Sequence, residues 1–276
     1  MINDGDTSKA MRAAVPAASR PRLRFRTARA ILALILREMT TTYGRSPGGY
    51  LWAVAQPIAL IVVLSLAFSL LLRSPPLGTN FMLFYATGIL PLRMFQMLSI
   101  NVGGALLYSK PLMAYPRVTF VDAILGRAIL TILTQFVVSL IILGGVRLWA
   151  QSSEMLDFVL ILEAYALAIL LGVGIGTLNC FLFMLLPVWR MIWGIVTGPL
   201  IILSAVLYIF EDLPYLAQKI LWYNPLVHVT GTARWGFFST YSPAYIDATF
   251  VVACALIPGF FGVLLLRRYG RTILYL

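Results

Sequence analysis

Few side chains in this 276-residue sequence could make or break a bond. His228 is the only histidine, which excludes a histidine cluster for metal binding or general-base catalysis. Cys180 and Cys254 lie in apolar runs without CxxC spacing or a neighbouring histidine, the pattern of buried free thiols rather than ligands. No GxxxxGK[ST] string occurs, so the chain lacks the loop whose amides cradle a nucleotide's phosphates. HExxH is absent, and so is a GxSxG string with partners. Gly172, Gly174 and Gly176 form a GxGxG string, yet it sits inside a long apolar run with no acidic residue at the spacing a dinucleotide site needs. Small residues that let helices approach closely are the better account of it. The sequence therefore predicts no catalytic residue, no metal site and no cofactor held by this chain.

What remains is the chemistry of isolated charges in apolar surroundings. Arg93 interrupts the run 74–109 near its middle. Arg127 follows Asp122 by five residues, which points the two in different directions on one helix, and Glu163 opens another run. A charge inside a bilayer is costly and often lines a pathway. Arg127 and Glu163 lie close enough to the ends of their runs to reach the headgroups. Arg93 is deeper, and its guanidinium could hold an anionic polymer or a phosphate through charge-assisted hydrogen bonds.

The elements that must position these groups follow from composition. Apolar residues make up 61% of the chain and charged residues 11%. A soluble domain carries about 25% charged residues. Such a sequence cannot cover a water-facing surface, which excludes a soluble enzyme, a disordered chain and a nucleic-acid module. Runs without a formal charge, of roughly the 20 residues that cross about 30 Å of hydrocarbon, predict an all-α membrane protein with six transmembrane helices. Their boundaries are about 48–72, 80–107, 119–146, 160–186, 191–210 and 247–266, with a tight turn around Pro187 and Arg190 between the fourth and fifth.

The net charge of +11 reads as topology. Nine basic residues precede Tyr50, and with Lys110, Arg117, Arg190, Arg267, Arg268 and Arg271 fifteen fall on one side. Arg73, Arg147, Lys219 and Arg234 fall on the other. The positive-inside rule then places both termini in the cytoplasm. Residues 1–25 read as a disordered cytoplasmic arm that is no signal peptide, 26–266 as a single transmembrane domain, and 267–276 as a cytoplasmic tail. From Arg26 to Gly44 a stripe of Arg26, Arg29, Ala33, Arg37, Thr40 and Gly44 backs onto a wide apolar arc, the pattern of an amphipathic helix lying among headgroups. The external segment 211–240 is too apolar for an ordinary loop, and Asn224-Pro225 breaks it into two half-helices. Backbone of that kind survives at membrane depth only where protein covers it or it lines a cavity, so the segment is expected to be reentrant and to gate the outer end.

These residues also carry a resemblance. Arg37-Glu38-Met39, Tyr43-Gly44-Arg45, Gly49-Tyr50-Leu51-Trp52-Ala53 and Gln56-Pro57 resemble the string REIxTRYG-x(4)-GYLWAxxEP of the permease subunits of capsular polysaccharide ABC exporters. Lys110-Pro111 and Tyr115-Pro116-Arg117 are similar to that family's cytoplasmic loop after span two. Asn224-Pro225-Leu226-Val227-His228-Val229 with Arg234 is similar to its external NPLxHxxExxR pattern. The likeness runs from about Arg29 to about Leu266. Three positions depart from it: Gln56 where Glu is common, Gly231 where the external acid would stand, and Thr42 in place of a second basic residue.

The resemblance implies an ABC-2 type permease in the bacterial inner membrane, working as a homodimer with two copies of a separate cytoplasmic ATPase subunit that carry the ATP and Mg. It implies ATPase docking on Arg37, Glu38, Tyr43, Gly44, Lys110, Tyr115, Pro116 and Arg117. It implies an external gate that includes Asn224, Pro225, His228 and Arg234. The cargo would be a capsular or related cell-surface polysaccharide with a lipid terminus, and periplasmic export proteins would be further partners. Trp52, Phe84, Tyr85, Trp193 and Tyr208, with Arg93, are the candidate path residues, because sugars stack on flat aromatic faces. Export of O-antigen or teichoic acid is the alternative within the same fold. An ATP-independent lipid-linked sugar flippase is a more distant one, and the absence of Asp or Glu from the six apolar cores counts against its ion coupling.

Overall fold

A computed structural model describes residues 49–113, 119–150 and 155–274, and every regular element among them is a helix. In chain order these are α1 (Gly49–Leu71), α2 (Phe81–Gly103), α3 (Ala105–Met113), α4 (Phe120–Ala150), α5 (Phe158–Leu185), α6 (Pro187–Thr197), α7 (Leu200–Leu203), α8 (Tyr215–Leu221), α9 (Pro225–Phe237) and α10 (Ala248–Leu274), with a single 3₁₀ turn, Phe210–Asp212, between α7 and α8. The expected interfacial helix from Arg26 to Gly44 and the arm before it lie outside the described residues.

Local chemistry sets several boundaries. Asn80 caps α2 by accepting from the Met82 N–H at 2.8 Å, and the Asp157 carboxylate caps α5 by accepting from the amides of Val159 and Leu160. Pro187 opens α6 and Pro225 opens α9, each at a position where no intrahelical N–H is needed.

Five helices among the described residues are long and apolar enough to cross a membrane: Leu51–Leu71, Phe81–Lys110 (α2 continued by α3), Phe120–Ala150, Phe158–Leu185 and Ala248–Gly270. They match the first, second, third, fourth and sixth expected runs. The segment 191–210 is different. It is no single helix: α6 stops at Thr197, α7 makes one turn from Leu200 to Leu203, and residues 204–209 are not helical. Pro199 explains the first break, since it cannot donate to the carbonyl of Ile195 and its ring crowds the preceding turn. Nothing local explains the second. Leu200–Phe210 contains neither Gly nor Pro. Ala205 nevertheless sits at φ 55, in the left-handed region that a residue with a Cβ rarely occupies.

α2 is the central helix, buried on nearly every side, whereas α1 presents most of its surface outward. α5 packs on α2 through one face and on α10 through another. A Cβ at Gly172 would lie 2.7 Å from Leu98 Cβ, and one at Gly176 would lie 2.8 Å from Val102 Cβ. Gly174 faces the Ala255 backbone, and a Cβ on Gly262 would lie 2.6 Å from the Leu178 amide nitrogen. The GxGxG string is thus a helix-packing seam, as its composition suggested. Such close approach matters here because lipid tails are as apolar as Leu, so helix association rests on van der Waals fit and interhelical hydrogen bonds. A smaller cluster of Ala205, Phe210 and Val227, flanked by Tyr208, Trp222 and Tyr245, forms a separate core.

Candidate functional site

The polar chemistry of the fold converges on the interrupted segment. α9 begins at Asn224, whose Oδ1 accepts from the Leu226 N–H at 3.1 Å. Its Nδ2 donates to the Leu203 carbonyl at 2.9 Å. Further along α9, the Thr230 hydroxyl lies 2.7 Å from the Ser204 carbonyl. Near the end of the helix the Arg234 guanidinium is 2% exposed. Its Nη1 donates to the carbonyls of Ala205 and Tyr208, and its Nη2 donates to that of Val206, all at 2.7 Å. The same guanidinium stacks 4.1 Å above the centre of the Phe84 ring on α2. The Tyr208 hydroxyl donates to the Ile202 carbonyl at 2.7 Å. Gln96 on α2 donates to the Thr197 carbonyl at 2.9 Å, where α6 breaks off.

Carbonyls 202, 203, 204, 205, 206 and 208 are therefore each held by a side chain. Backbone removed from water and from helix must find such partners, and α9 supplies most of them. The external pattern containing Asn224 and Arg234 thus reaches inward. Arg234, expected at an external gate, finds its partners in carbonyl dipoles. At Gly231 a Cβ would run into the Tyr245 hydroxyl, so that phenol occupies the space a side chain at 231 would need.

His228 is likewise enclosed. Its Nε2 lies 2.8 Å from the Trp222 carbonyl, and its Nδ1 lies 3.0 Å from the Asp247 amide nitrogen. One neighbour only accepts and the other only donates, which assigns the neutral ring with its proton on Nε2. The rings of Trp222, Phe250 and Tyr245 surround it, with centroids 5.2, 5.5 and 6.0 Å away. Burial holds its pKa below the usual histidine value, against the opposing pull of the Trp222 carbonyl and Asp247. His228 thereby ties the α8–α9 turn to the start of α10. Beside it, the Tyr241 hydroxyl donates to Glu211 Oε2 at 2.9 Å and lies 3.5 Å from the Tyr245 hydroxyl. Burial raises both phenols, Tyr245 to about 12.

The candidate path residues divide. Arg93 Nη2 donates to Gln56 Oε1 on α1 at 2.9 Å. Trp52 is 69% exposed on α1. Trp193 is partly exposed on α6 and donates its indole N–H to the Ser99 hydroxyl at 3.2 Å. Tyr208 is partly exposed beside the unwound carbonyls. Phe84 and Tyr85 are wholly enclosed by the chain's own side chains and pack edge to face. Of the residues expected to dock an ATPase, Lys110 is exposed on α3, while Arg37, Glu38, Tyr43, Gly44, Tyr115, Pro116 and Arg117 lie outside the described residues.

Sequence reasoning missed Gln96, Thr230 and the carbonyl-capping role of Arg234. The available signal was a polar residue at each of 224, 230 and 234 within an apolar helix that otherwise had no reason to carry one.

Five long apolar helices, with a buried cluster of side chains that bonds to the carbonyls of an interrupted sixth segment, define a multi-spanning membrane protein. The chain belongs to the ABC-2 type transporter family, whose sequence profile matches residues 29–238. It is 27% identical over 242 residues to the polysialic acid transport protein KpsM of Escherichia coli, covering 88% of this chain and 94% of that protein. It is 26% identical over 245 residues to the capsule polysaccharide export inner-membrane protein CtrC of Neisseria meningitidis serogroup B, covering 89% and 92%. It is 23% identical over 245 residues to the capsule polysaccharide export inner-membrane protein BexB of Haemophilus influenzae, with the same coverage.

Proposed function

We propose that this chain is the membrane-spanning subunit of an ATP-driven exporter that moves capsular or related cell-surface polysaccharide across the bacterial inner membrane. The observation that carries the reading is its similarity, over nearly nine-tenths of its length, to inner-membrane proteins named for capsule polysaccharide export. The absence of a P-loop from the sequence agrees with an ATP site on a separate subunit.

In this reading the chain crosses the membrane six times with both termini in the cytoplasm. The fifth crossing is assembled from α6, α7 and the unwound stretch 204–209. Two copies of the chain form the channel. Two ATPase subunits, with their ATP and Mg, dock on the interfacial helix bearing Arg37, Glu38, Tyr43 and Gly44, and on the loop bearing Lys110, Tyr115, Pro116 and Arg117. Residues 204–240 close the outer end, and periplasmic export proteins receive the polymer. Trp52, Arg93, Trp193 and Tyr208 keep surface available to a passing chain. Phe84 and Tyr85 support it from behind, Phe84 by carrying Arg234 on its ring.

Deletion in the native host, followed by chemical analysis of intracellular and surface polysaccharide, tests the reading. Polymer should accumulate inside and disappear from the surface. An unchanged surface polymer rejects the function. Arg117→Ala should weaken co-purification of the ATPase, and unchanged co-purification with unchanged ATPase stimulation rejects the docking assignment.

A further inference from the structure

In a continuous helix through residues 200–210, the amides of Val206, Leu207, Tyr208 and Ile209 would donate to the carbonyls of Ile202, Leu203, Ser204 and Ala205. Those four carbonyls are instead taken, in the same order, by Tyr208 Oη, Asn224 Nδ2, Thr230 Oγ1 and Arg234 Nη1. Among the described residues, the amides of 206–209 donate no backbone hydrogen bond outside a helix. The substitution is one for one: each helical donor has been displaced by a side chain.

The sequence does not ask for this. Leu200–Phe210 carries no helix breaker, and Ala205 is held at φ 55, a conformation that costs energy and persists only when surroundings enforce it. The displaced state also has an alternative partner for its key cation. Glu211, one residue beyond the stretch, lies close enough to act electrostatically on Arg234 and now accepts from Tyr241.

We propose that residues 202–209 are a two-state element, a helix–coil switch. In the state seen here Asn224, Thr230, Arg234 and Tyr208 hold the stretch unwound. In the other state the amides of 206–209 reclaim carbonyls 202–205, the helix runs on from α7, and Arg234 turns to the Glu211 carboxylate. The exchange keeps the carbonyls of 202–205 satisfied in both states, which a segment at membrane depth requires. It converts a push on α6 into a lengthening and rotation of the stretch that carries Tyr208 and the cap. This rests on the transport reading above.

The test is amide hydrogen exchange on the permease–ATPase complex in lipid nanodiscs, without nucleotide and with a partner ATPase variant that binds ATP but does not hydrolyse it. Amides 206–209 should exchange about tenfold or more slowly in one state than in the other, with the amides of α5 unchanged as the reference. Ala205→Gly relieves the left-handed strain and should reduce that difference by favouring the unwound state. A Gly88→Cys and Val206→Cys pair locks the unwound state, because a Cβ on Gly88 lies 3.4 Å from Val206 Cα. With Cys180 and Cys254 replaced, oxidation should abolish both the exchange difference and export, and reductant should restore both. Equal exchange at 206–209 in the two nucleotide states, in a complex that exports polymer, overturns the switch and leaves the transport reading standing. Full export with the disulfide quantitatively formed also overturns it. A complex that exports no polymer and a deletion strain with normal surface polysaccharide overturn both.

Discussion

Replacing Arg234 with Met keeps an unbranched apolar stem, shorter than that of Arg, and removes all of its donors. Three buried carbonyls, at 205, 206 and 208, lose 2.7 Å bonds at once. A buried polar group left unsatisfied costs about 1–3 kcal/mol. Against that, the variant no longer has to bury a guanidinium, a desolvation penalty of several kcal/mol in native proteins. The stacking on Phe84 at 4.1 Å is lost as well, a contact worth about 1–2 kcal/mol when desolvated. The balance is a loss of about 3 kcal/mol, dominated by unpaired carbonyls. For a chain of this size each kcal/mol moves Tm by about 2–4 °C, which places the variant roughly 6–12 °C below the parent. Thermal unfolding in lipid nanodiscs, followed by near-ultraviolet circular dichroism, reads this directly. Arg234→Lys should fall between the two, because an ammonium lacks the planar fork that reaches three acceptors together. If Arg234→Met melts within about 1 °C of the parent, the carbonyls are not held in the way argued and the account of the broken crossing fails.

Three further outcomes are expected. His228 is neutral and its folded pKa lies below the unfolded value, so the stability it contributes is complete above about pH 6.5 and is lost as pH falls below that. Tm should drop between pH 7.5 and pH 5.5, and His228→Gln should flatten that slope; an identical slope in the variant refutes the assignment. Arg93→Leu breaks the 2.9 Å bond to Gln56 and should lower export without changing assembly, whereas Gln56→Glu should retain export by replacing a neutral acceptor with a charged one. Normal surface polymer from Arg93→Leu removes Arg93 from the path. Gly172→Ala forces a Cβ against Leu98 and should destabilise by about 1–3 kcal/mol. Gly144→Ala, with nothing within 4 Å of its Cβ, should stabilise the helix by up to about 1 kcal/mol. Equal melting of the two glycine variants would falsify the packing seam.

Much of the architecture was legible because the bilayer imposes a simple code. A run of about 20 residues free of charge is long enough to span, and Pro187 and Asn224-Pro225 mark helix starts by their own covalent geometry. The glycines of α5 were readable as packing residues for the same reason: inside lipid, a small side chain has little use except to let another helix in. The candidate site was less legible. Asn224, His228 and Arg234 stood out as polar residues in an apolar segment, but their types do not say whether they face a substrate, a partner charge or the chain's own backbone. Gln96 and Thr230 gave no signal alone, since each has an ordinary surface role available to it. Phe84 and Tyr85 match any aromatic that could touch a sugar, and only packing encloses them.

The clearest division lies at residues 200–210. Composition alone makes this stretch apolar enough for a membrane, and Pro199 alone determines that it cannot join α6 as one straight helix. That it then unwinds after Leu203 is decided elsewhere. The carbonyls of Leu203, Ser204 and Ala205 bond to residues 21 to 29 positions later in the chain, which reach them only once α9 has packed against α2. No Gly or Pro in the stretch breaks a helix there. A buried guanidinium and two polar side chains outcompete the stretch's own amides because backbone withdrawn from water bonds to whatever donor the fold brings within reach.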